Sequence, residues 1–383
     1  MSAPVEVYSA AEVDTIAWPA TPEGAEARRY LTPLLRDGPT RYVRNADTHL
    51  YVLCVDHQVM LPATAGAFNP ANSYVVSPYT HYITYGQEEF AALKNPSVEA
   101  LLRLLFRPLA AWFRRAEFDR AVLANNWLLS TNLPPAGLTD ANVRALIATL
   151  AAAFPDRAVI FRSVDQHGAP ALTRALQSAG AALLFSRQVY YQDVARPAVQ
   201  HRDEFRADLR LLRRTPYRVL TAADLLPGDA ERLVTLYDDL YLRKYSRYNP
   251  QFTPDFLRLA LAEKLLTIKA LARDGRIDAV LGYVTRGGHI TAPLFGYNTA
   301  LPKQLGLYRM LTALTSLDAL ALGKQVHFSA GVGPFKRLRG GQAAIEYNAV
   351  YTAHLPAWRR RPWRFLRVLM DKVAVPIIQR SGF

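Results

Sequence analysis

The sequence predicts an α/β fold with a mixed sheet, and three observations support this class. Three β segments between Thr267 and Tyr297 are separated by Asp274-Gly275 and Gly287-Gly288, dipeptides typical of turns between antiparallel strands. A helix from about Leu307 to Leu322 follows, and then a short apolar strand, Val326 to Ser329. A similar succession of strands and helices occurs in the first half of the chain. Antiparallel strands that lead into a helix and a further strand require a mixed sheet.

The elements of the first half are predicted from periodicity, caps and breakers. Residues 1 to 40 form a polar lead-in with one helix, and Arg41 to Thr64 gives two strands. An aromatic loop, Pro70 to Tyr85, precedes a helix that Pro108 is expected to break. The remaining elements are a strand Ala121–Leu133, a helix Ala141–Phe154 capped by Thr139-Asp140, a strand Ala158–Ser163, a helix Ala171–Ser178 and a strand Ala182–Asp193.

Two pairs of segments indicate an internal duplication. Ala158–Asp193 and Val326–Thr352 share the order strand, helix, glycine, strand with a late tyrosine. Leu50–Pro62 and Ile268–Gly282 both read as hairpins that open a half. The basic segment Arg196–Thr215 is the predicted connector, which gives an N-terminal domain 1–200 and a C-terminal domain 201–383.

Composition restricts the class of protein and its partners. The 383 residues carry a formal net charge of +14, which favours an anionic partner such as coenzyme A, a carrier protein, a nucleic acid or a membrane surface. The single cysteine, Cys54, cannot form an internal disulfide, and we expect a buried thiol. No apolar run reaches the length of a membrane span, and the N-terminus does not read as a signal peptide. The predicted location is the cytoplasm.

The segment from Ile290 to Tyr308 carries the clearest chemical signal. A strand ends at Asn298, and the chain passes through Pro302 and Gly306 into a helix whose free N–H groups and positive dipole end suit a phosphate. Lys303-Gln304-Leu305-Gly306-Leu307-Tyr308 and Phe335-Lys336-Arg337-Leu338-Arg339-Gly340 resemble motifs of the GNAT acyltransferase superfamily. The resemblance is closest to the branch with Fem-type peptidoglycan aminoacyltransferases and tandem-GNAT acetyltransferases. It departs from the family at Lys303, where Gln or Arg is usual, and at Tyr308, where a small residue is usual.

This resemblance implies two tandem GNAT-like domains, of which the N-terminal copy is degenerate and shapes the acceptor pocket. It implies an N-acyltransferase that takes an acyl group from acyl-coenzyme A or from the acyl-phosphopantetheine of a carrier protein. The acceptor would be an amine of a small molecule or amino acid, in secondary metabolism or cell-envelope synthesis. The implied donor-binding residues are Phe295, Gly296, Asn298, Lys303, Gln304, Leu305, Gly306, Leu307 and Tyr308.

The resemblance also implies acceptor and catalytic residues. The acceptor contacts would come from Lys244, Tyr245, Arg247 and Asn249, together with Arg337 and Arg339. Among the catalytic candidates, the family signature points to Lys336 as a second anion site. The chemistry of acyl transfer suggests Glu346 as a general base and Tyr297 or Tyr308 as a proton donor to the leaving thiolate. No pattern with metal-ligand spacing is present, and we expect no metal.

Two alternatives stay open. One is a Fem-type transferase that forms peptide bonds with aminoacyl-tRNA, which the basic charge favours. The other is a non-catalytic GNAT-fold protein whose donor cleft Tyr308 would plug. Its tail, Ala357 to Phe383, could contact a membrane surface or nucleic acid, although a terminal amphipathic helix usually docks on its own domain.

Overall fold

A computed structural model describes residues 4–91 and 96–376 of the chain. Twelve strands in these ranges form one mixed sheet. The strands are β1 (Val5–Tyr8), β2 (His49–Val55), β3 (Val59–Ala65), β4 (Ala121–Ala124), β5 (Ala158–Asp165), β6 (Ala182–Gln192), β7 (Arg218–Thr221), β8 (Thr267–Arg273), β9 (Arg276–Arg286), β10 (His289–Tyr297), β11 (Gln325–His327) and β12 (Gln342–Tyr351).

The strand order is symmetric about the centre of the sheet. It runs β1-β2-β3-β4-β5-β12-β6-β11-β10-β9-β8-β7. When each of the strands β1 to β6 exchanges its label with the strand numbered six higher, the resulting order is the same order read from the opposite edge of the sheet. The pairing also matches, since β4 runs parallel to β5 as β10 runs parallel to β11, and the outer pairs are antiparallel. The predicted mixed α/β fold with two tandem copies is thereby confirmed.

The two copies exchange their last strands. β12, from the second copy, pairs with β5 and β6 of the first, while β6 lies between β12 and β11. The longest register of the sheet therefore joins the copies, from Gln342 opposite Tyr191 to Val350 opposite Ala182. Each copy completes the sheet of the other, so the two halves share one continuous backbone hydrogen-bond network. The domain boundary at residue 200 stays a prediction.

Thirteen helices of the described ranges cover the faces of this sheet. They are α1 (Pro22–Asp37), α2 (Pro39–Tyr42), α3 (Tyr85–Ala91), α4 (Pro96–Arg115), α5 (Asp140–Ala153), α6 (Pro170–Ser178), α7 (Pro197–Gln200), α8 (Asp203–Arg214), α9 (Ala230–Asp238), α10 (Pro254–Ala262), α11 (Leu307–Ala321), α12 (Gly333–Leu338) and α13 (Ala357–Leu369). None of these helices combines the length and apolar character needed to cross a membrane.

One hydrophobic cluster unites the halves. Tyr30 and Leu31 of α1 pack in the same core as Leu236 of α9 and Phe256 of α10, and all four side chains are buried. The hydroxyl of Tyr30 donates to the carbonyl oxygen of Trp127 at 2.6 Å. Packing across the halves fixes the geometry of the space between them.

Several predicted elements differ from the structure. The lead-in contains β1, the segment after Ala124 is a buried loop rather than strand, and β7 follows the connector. The connector itself folds as α7 and α8. Helix α4 continues through Pro108, where a break was expected. The tail, Ala357 to Phe383, can be compared with the structure only as far as residue 376, because residues 377–383 lie outside the described ranges.

Candidate active site

The strands β10 and β11 separate at the position where the sequence predicts a donor site. Among the described residues their pairing ends at Thr291 opposite His327, although β10 continues to Tyr297. The hydroxyl of Thr291 donates to the carbonyl oxygen of His327 at 3.0 Å and closes the end of the ladder. A shift of register against β9 lies between Thr291 and Leu294. Beyond it, one edge of β10 faces an opening and not a strand.

A cavity of about 370 Å³ lies at this opening and at the start of α11. Its wall combines aromatic and aliphatic side chains with three basic residues. Seven residues predicted from sequence are brought together in it: Lys244, Tyr245, Tyr297, Lys303, Gly306, Leu307 and Tyr308. The lining residues that the sequence did not indicate are Leu240, Leu301, Pro302, Arg309, Val332 and Phe335.

Tyr308 forms a wall of this cavity. Its ring centroid lies 5.0 Å from that of Phe295, 6.2 Å from that of Tyr297 and 5.0 Å from that of Phe335. Burial, and then the neighbouring hydroxyl of Tyr241, raises the pKa of Tyr308 well above its usual value. The phenol is therefore neutral at physiological pH and suited to donating a hydrogen bond. The cavity stays open beside this ring.

Gly306 allows α11 to begin where it does. Its φ is +70°, and a Cβ there would lie 2.5 Å from Cδ2 of Leu211 on α8. The residue is thus required by backbone conformation and by the close approach of α8, not by space for a ligand. Before it, Lys303 and Gln304 are exposed and Leu305 is half-buried.

The remaining donor candidates on β10 have structural contacts. A Cβ on Gly296 would lie 2.4 Å from the backbone of Leu236, so this glycine permits β10 to pack against α9. The backbone N–H of Asn298 donates to the carbonyl oxygen of Asp278 at 2.8 Å. That N–H is consequently not free to polarise a thioester carbonyl.

Lys336 is buried and fully engaged. Its Nζ donates to the carbonyl oxygens of Phe328, Ser329 and Ala330 at 2.7, 3.1 and 2.7 Å. Burial, and then the charge of Arg187, lowers the pKa of Lys336, whereas three carbonyl acceptors favour the ammonium form with three N–H groups. The side chain ties the loop between β11 and α12, and none of its three donors is left for a phosphate.

The two arginines of the same segment also have protein partners. Arg337 donates from Nη1 to the hydroxyl of Tyr190 at 2.9 Å. The buried Arg339 pairs with Asp208 of α8 and lies 3.5 Å from the ring centroid of Phe335. Asp208 also accepts from Nε of Arg309 at 2.6 Å. This network fixes α8, α11 and α12 around the cavity, and Arg339 takes part in it in place of the acceptor contact expected for it.

The predicted acceptor loop divides into two parts. Lys244 and Tyr245 lie on the cavity, with Nζ of Lys244 5.5 Å from the ring centroid of Tyr245. Asn249 is buried, and its carbonyl oxygen accepts from Asn45 of the first half at 2.9 Å. The carbonyl oxygen of Arg247 also accepts from Asn45, at 3.3 Å. The second part of the loop therefore connects the halves.

Glu346 forms a buried ion pair. Its oxygens accept from Nε and Nη2 of Arg187 at 2.8 and 3.2 Å. His327 lies 4.0 Å away through Nε2, and its Nδ1 accepts from the backbone N–H of Ser329 at 3.0 Å. Burial, and then the charge of Arg187, lowers the pKa of His327, so the ring is neutral. A carboxylate bound at both oxygens by a guanidinium is a poor general base, which weighs against that role.

Sequence reasoning missed the polar centre between the halves. Arg162 on β5 and Arg187 on β6 lie on either side of the exchanged strand β12, and the charges of both act on His81. Nε2 of His81 and the hydroxyl oxygen of Ser186 lie 3.2 Å apart and share a hydrogen bond, whose direction depends on the histidine tautomer. Burial, and then Arg162 and Arg187, lowers the pKa of His81 to about 3. No spacing in the sequence connects these residues, because they lie on three separate elements of the first copy.

The segment after β4 is the counterpart in the first copy of the segment after β10. It is a loop from Asn125 to Leu133, in which Trp127, Leu128 and Leu129 are buried. Asn126 donates from Nδ2 to Val75 O at 2.8 Å and fixes the loop.

A group of possible metal ligands lies at another place. Ligand-type atoms of Glu6, Cys54 and His57 come within 4.8 Å of one another. The thiol of Cys54 is buried as expected, and burial followed by the charge of Glu6 raises its pKa. Because a metal needs the thiolate, this environment disfavours a metal there.

Comparisons with known proteins agree with the resemblance seen in the sequence. Residues 200–337 match the family model described as acetyltransferase (GNAT) domain. The sequence matches none of the curated proteins with which it was compared.

Three solved structures are similar at low identity. A conserved protein of unknown function from Bacteroides thetaiotaomicron is 11% identical, with 92% of this chain and all of that one covered and a TM-score of 0.49. A tandem GNAT protein from the clavulanic acid biosynthesis pathway is 11% identical over 92% and 100% of the chains, with a TM-score of 0.42. FemX is 9% identical over 63% and 83%, with a TM-score of 0.46. The fold assignment rests on the strand order, and the family match to the acetyltransferase (GNAT) domain covers residues 200–337.

Proposed function

We propose that this chain is an N-acyltransferase that moves an acyl group from a thioester to the amine of a small molecule or amino acid. The observation that supports this most is the cavity between the separated strands and the start of α11. Lys244 and Lys303 are exposed at its rim, and Arg309 is half-buried in its wall. Three cations and the N-terminus of a helix of 15 residues suit the phosphates of coenzyme A or of phosphopantetheine.

The geometry allows the following reaction. The free edge of β10 would polarise the thioester carbonyl, and the amine nitrogen would form a bond to the acyl carbon. The carbon–sulfur bond breaks, and the thiolate takes up one proton as the amine loses one. Tyr297 lies on the cavity and is the candidate proton donor. Lys336 would hold the neighbouring loop, and positioning of donor and acceptor would supply most of the catalysis.

The proposal is tested by calorimetric and thermal-shift titration with coenzyme A and acetyl-coenzyme A. We expect saturable binding that weakens about tenfold in Lys303→Glu, since one charge-assisted contact contributes roughly 1.5 to 3 kcal/mol. Leu301→Trp should block binding by filling the cavity. Arg364→Glu, which changes an exposed arginine of α13, is the matched control for net charge. An absence of any saturable response would exclude free coenzyme A as the donor.

A macromolecular donor is the second candidate. Arg206, Arg210, Arg213 and Arg214 are exposed on α8, the helix that packs against α11 beside the cavity. Such a basic flank suits a carrier protein or a Fem-type aminoacyl-tRNA. Binding of holo-carrier protein or aminoacyl-tRNA that weakens in Arg210→Glu/Arg213→Glu, with coenzyme A binding retained, would favour it. Retained binding in this variant would exclude α8 as the docking site.

A further inference from the structure

A buried arginine on β5 has no ion-pair partner among the described residues. Arg162 is only 6% exposed, and no carboxylate oxygen of the described residues lies within 4 Å of its guanidinium. Its Nη1 donates to Oδ1 of Asn126 at 2.7 Å and to the carbonyl oxygen of Leu129 at 3.3 Å. Burial of a charge without a counter-ion lowers the stability of the folded state, which suggests that an anionic ligand pairs with this arginine.

The opposite edge of this guanidinium is available. Nε and Nη2 of Arg162 make no hydrogen bond to the described residues, and neither atom is among the fully occluded polar atoms without a partner. Both therefore retain accessible surface inside the protein. The Nε–Nη2 edge presents two parallel N–H donors, the arrangement that binds both oxygens of one carboxylate.

The surroundings of Arg162 form a built site. Tyr74 is 8% exposed, and its hydroxyl has no hydrogen-bond partner among the described residues, although its ring packs 5.6 Å from that of His81 and 5.7 Å from that of Tyr85. His81 is half-buried and uncharged, so it neither repels nor attracts an anion. Glu346 is already bound at both oxygens by Arg187. Glu346 is therefore already neutralised by Arg187, and the positive charge of Arg162 is left uncompensated.

The site adjoins the donor cavity. The ring of Tyr241 lies 6.0 Å from that of Tyr245, which lines the cavity. On its other side, Tyr241 packs with Tyr85 against the hydrophobic cluster that contains Tyr74. We expect a molecule anchored at Arg162 to direct its other end past Tyr241 toward the donor.

We propose that Arg162 and Tyr74 anchor an acceptor that carries a carboxylate, so that the amine substrate is an amino acid or the carboxyl end of a peptide. This inference rests on the proposed function and adds the substrate class. The Nε–Nη2 edge of Arg162 donates two hydrogen bonds to the carboxylate, and the hydroxyl of Tyr74 donates a third. The rings of Tyr74 and Tyr85 cover the ligand.

The probes of this site are benzoate, benzylamine and inorganic phosphate, compared at constant ionic strength by thermal shift and calorimetry. We expect saturable stabilisation by benzoate, none by benzylamine and less by phosphate. Arg162→Met should raise the Kd for benzoate at least tenfold, and Tyr74→Phe should raise it by a smaller factor. A phosphate response that exceeds the benzoate response, or a benzoate response unchanged in Arg162→Met, overturns the proposal.

A second readout protects the test against misfolding. Because Arg162 lacks a counter-ion, Arg162→Met without ligand should unfold at the same temperature as the wild type or a higher one. Arg359 is the matched control, because its guanidinium donates to the backbone carbonyls of Ala116, Glu117, Asp156 and Arg120. Arg359→Met should lower the unfolding temperature. If Arg162→Met lowers the unfolding temperature equally, Arg162 is a structural arginine and the proposal fails.

Titration of acetyl-coenzyme A into the same wild-type preparation tests the donor cavity separately. It distinguishes a failure of this inference from a failure of the proposed function.

Discussion

Arg187 and Glu346 lie directly opposite each other on β6 and β12, the two strands that the copies exchange. Their side chains form a two-point ion pair at 2.8 and 3.2 Å. Arg187 also donates to the carbonyl oxygen of Ser130 at 2.7 Å and to the hydroxyl of Thr131 at 2.8 Å. One side chain therefore connects the exchanged strand to the loop that follows β4 in the first copy.

Removing one partner of this pair should be strongly destabilising. Glu346→Ala leaves a buried guanidinium without its carboxylate, and we expect the free energy of unfolding to fall by about 3 to 5 kcal/mol. Urea denaturation followed by fluorescence measures this. The control is Asp14→Ala, whose partner Arg36 is 57% exposed, and its cost should stay within about 1 kcal/mol. Equal costs for both variants would show that the central pair adds no more than a surface pair.

The fold was largely predictable because its signals are local. The dipeptides Asp274-Gly275 and Gly287-Gly288 form the predicted turns, and Thr139 caps α5 by accepting from the N–H of Asn142. The start of α11 follows from Gly306, whose positive φ few other residues adopt without strain. Each of these features depends on a few consecutive residues.

The centre of the protein was not predictable in the same way. Glu346 has a partner 159 positions away, which only the exchange of strands places opposite it. The basic character of Lys336 and Arg339 indicated anion binding, but their contacts are with carbonyl groups and with Asp208. A charged side chain in a sequence does not reveal whether its partner is a ligand or the protein itself.

Gly306 should tolerate a side chain poorly for two separable reasons. Gly306→Ala places a Cβ 2.5 Å from Cδ2 of Leu211 and also strains a backbone with φ of +70°. We expect a loss of stability of about 2 kcal/mol or more. Gly323→Ala, near the C-terminal end of the same helix, has φ of +62° with open space around it and should lose only the backbone part, about 1 kcal/mol. The measurement is thermal unfolding of both variants. A second substitution, Leu211→Ala, should recover part of the stability lost in Gly306→Ala and none of the stability lost in Gly323→Ala.

We expect the main contribution of Lys336 to be to the stability of the fold and not to the acyl-transfer reaction. Lys336→Met removes three hydrogen bonds from an ammonium to carbonyl oxygens, and we expect a loss of about 2 kcal/mol or more. Proteolysis of the loop between β11 and α12 should accelerate in parallel. The matched control is Lys324→Met, which removes one exposed contact, from Nζ to the carbonyl oxygen of Gly287. A Lys336→Met protein that keeps full stability but loses acyl transfer would instead support a direct catalytic role.

Stability should fall on acidification, in part through His81. Its pKa is lowered to about 3 in the folded state, first by burial and then by two arginines, whereas an unfolded histidine titrates near pH 6.5. Between these values the unfolded chain binds one proton more than the folded chain. Its contribution to stability is therefore complete above about pH 6.5 and is lost as pH falls toward about 3, at up to roughly 1.4 kcal/mol per pH unit.

The measurement is the free energy of unfolding of wild type and His81→Gln at pH values from 7 to 4. Gln retains a partner for the hydroxyl of Ser186 and does not titrate, so the variant should show the shallower slope. His327 contributes in the same direction in both proteins, because its pKa is also lowered. Asp119 contributes in the opposite direction in both, since burial raises its pKa to about 6, and these effects cancel in the difference. His49→Gln, at an exposed histidine of β2, controls for the substitution itself. Parallel slopes for wild type and His81→Gln would mean that His81 takes up its proton over the same pH range in the folded and the unfolded protein, so that the polar centre gains a positive charge on acidification.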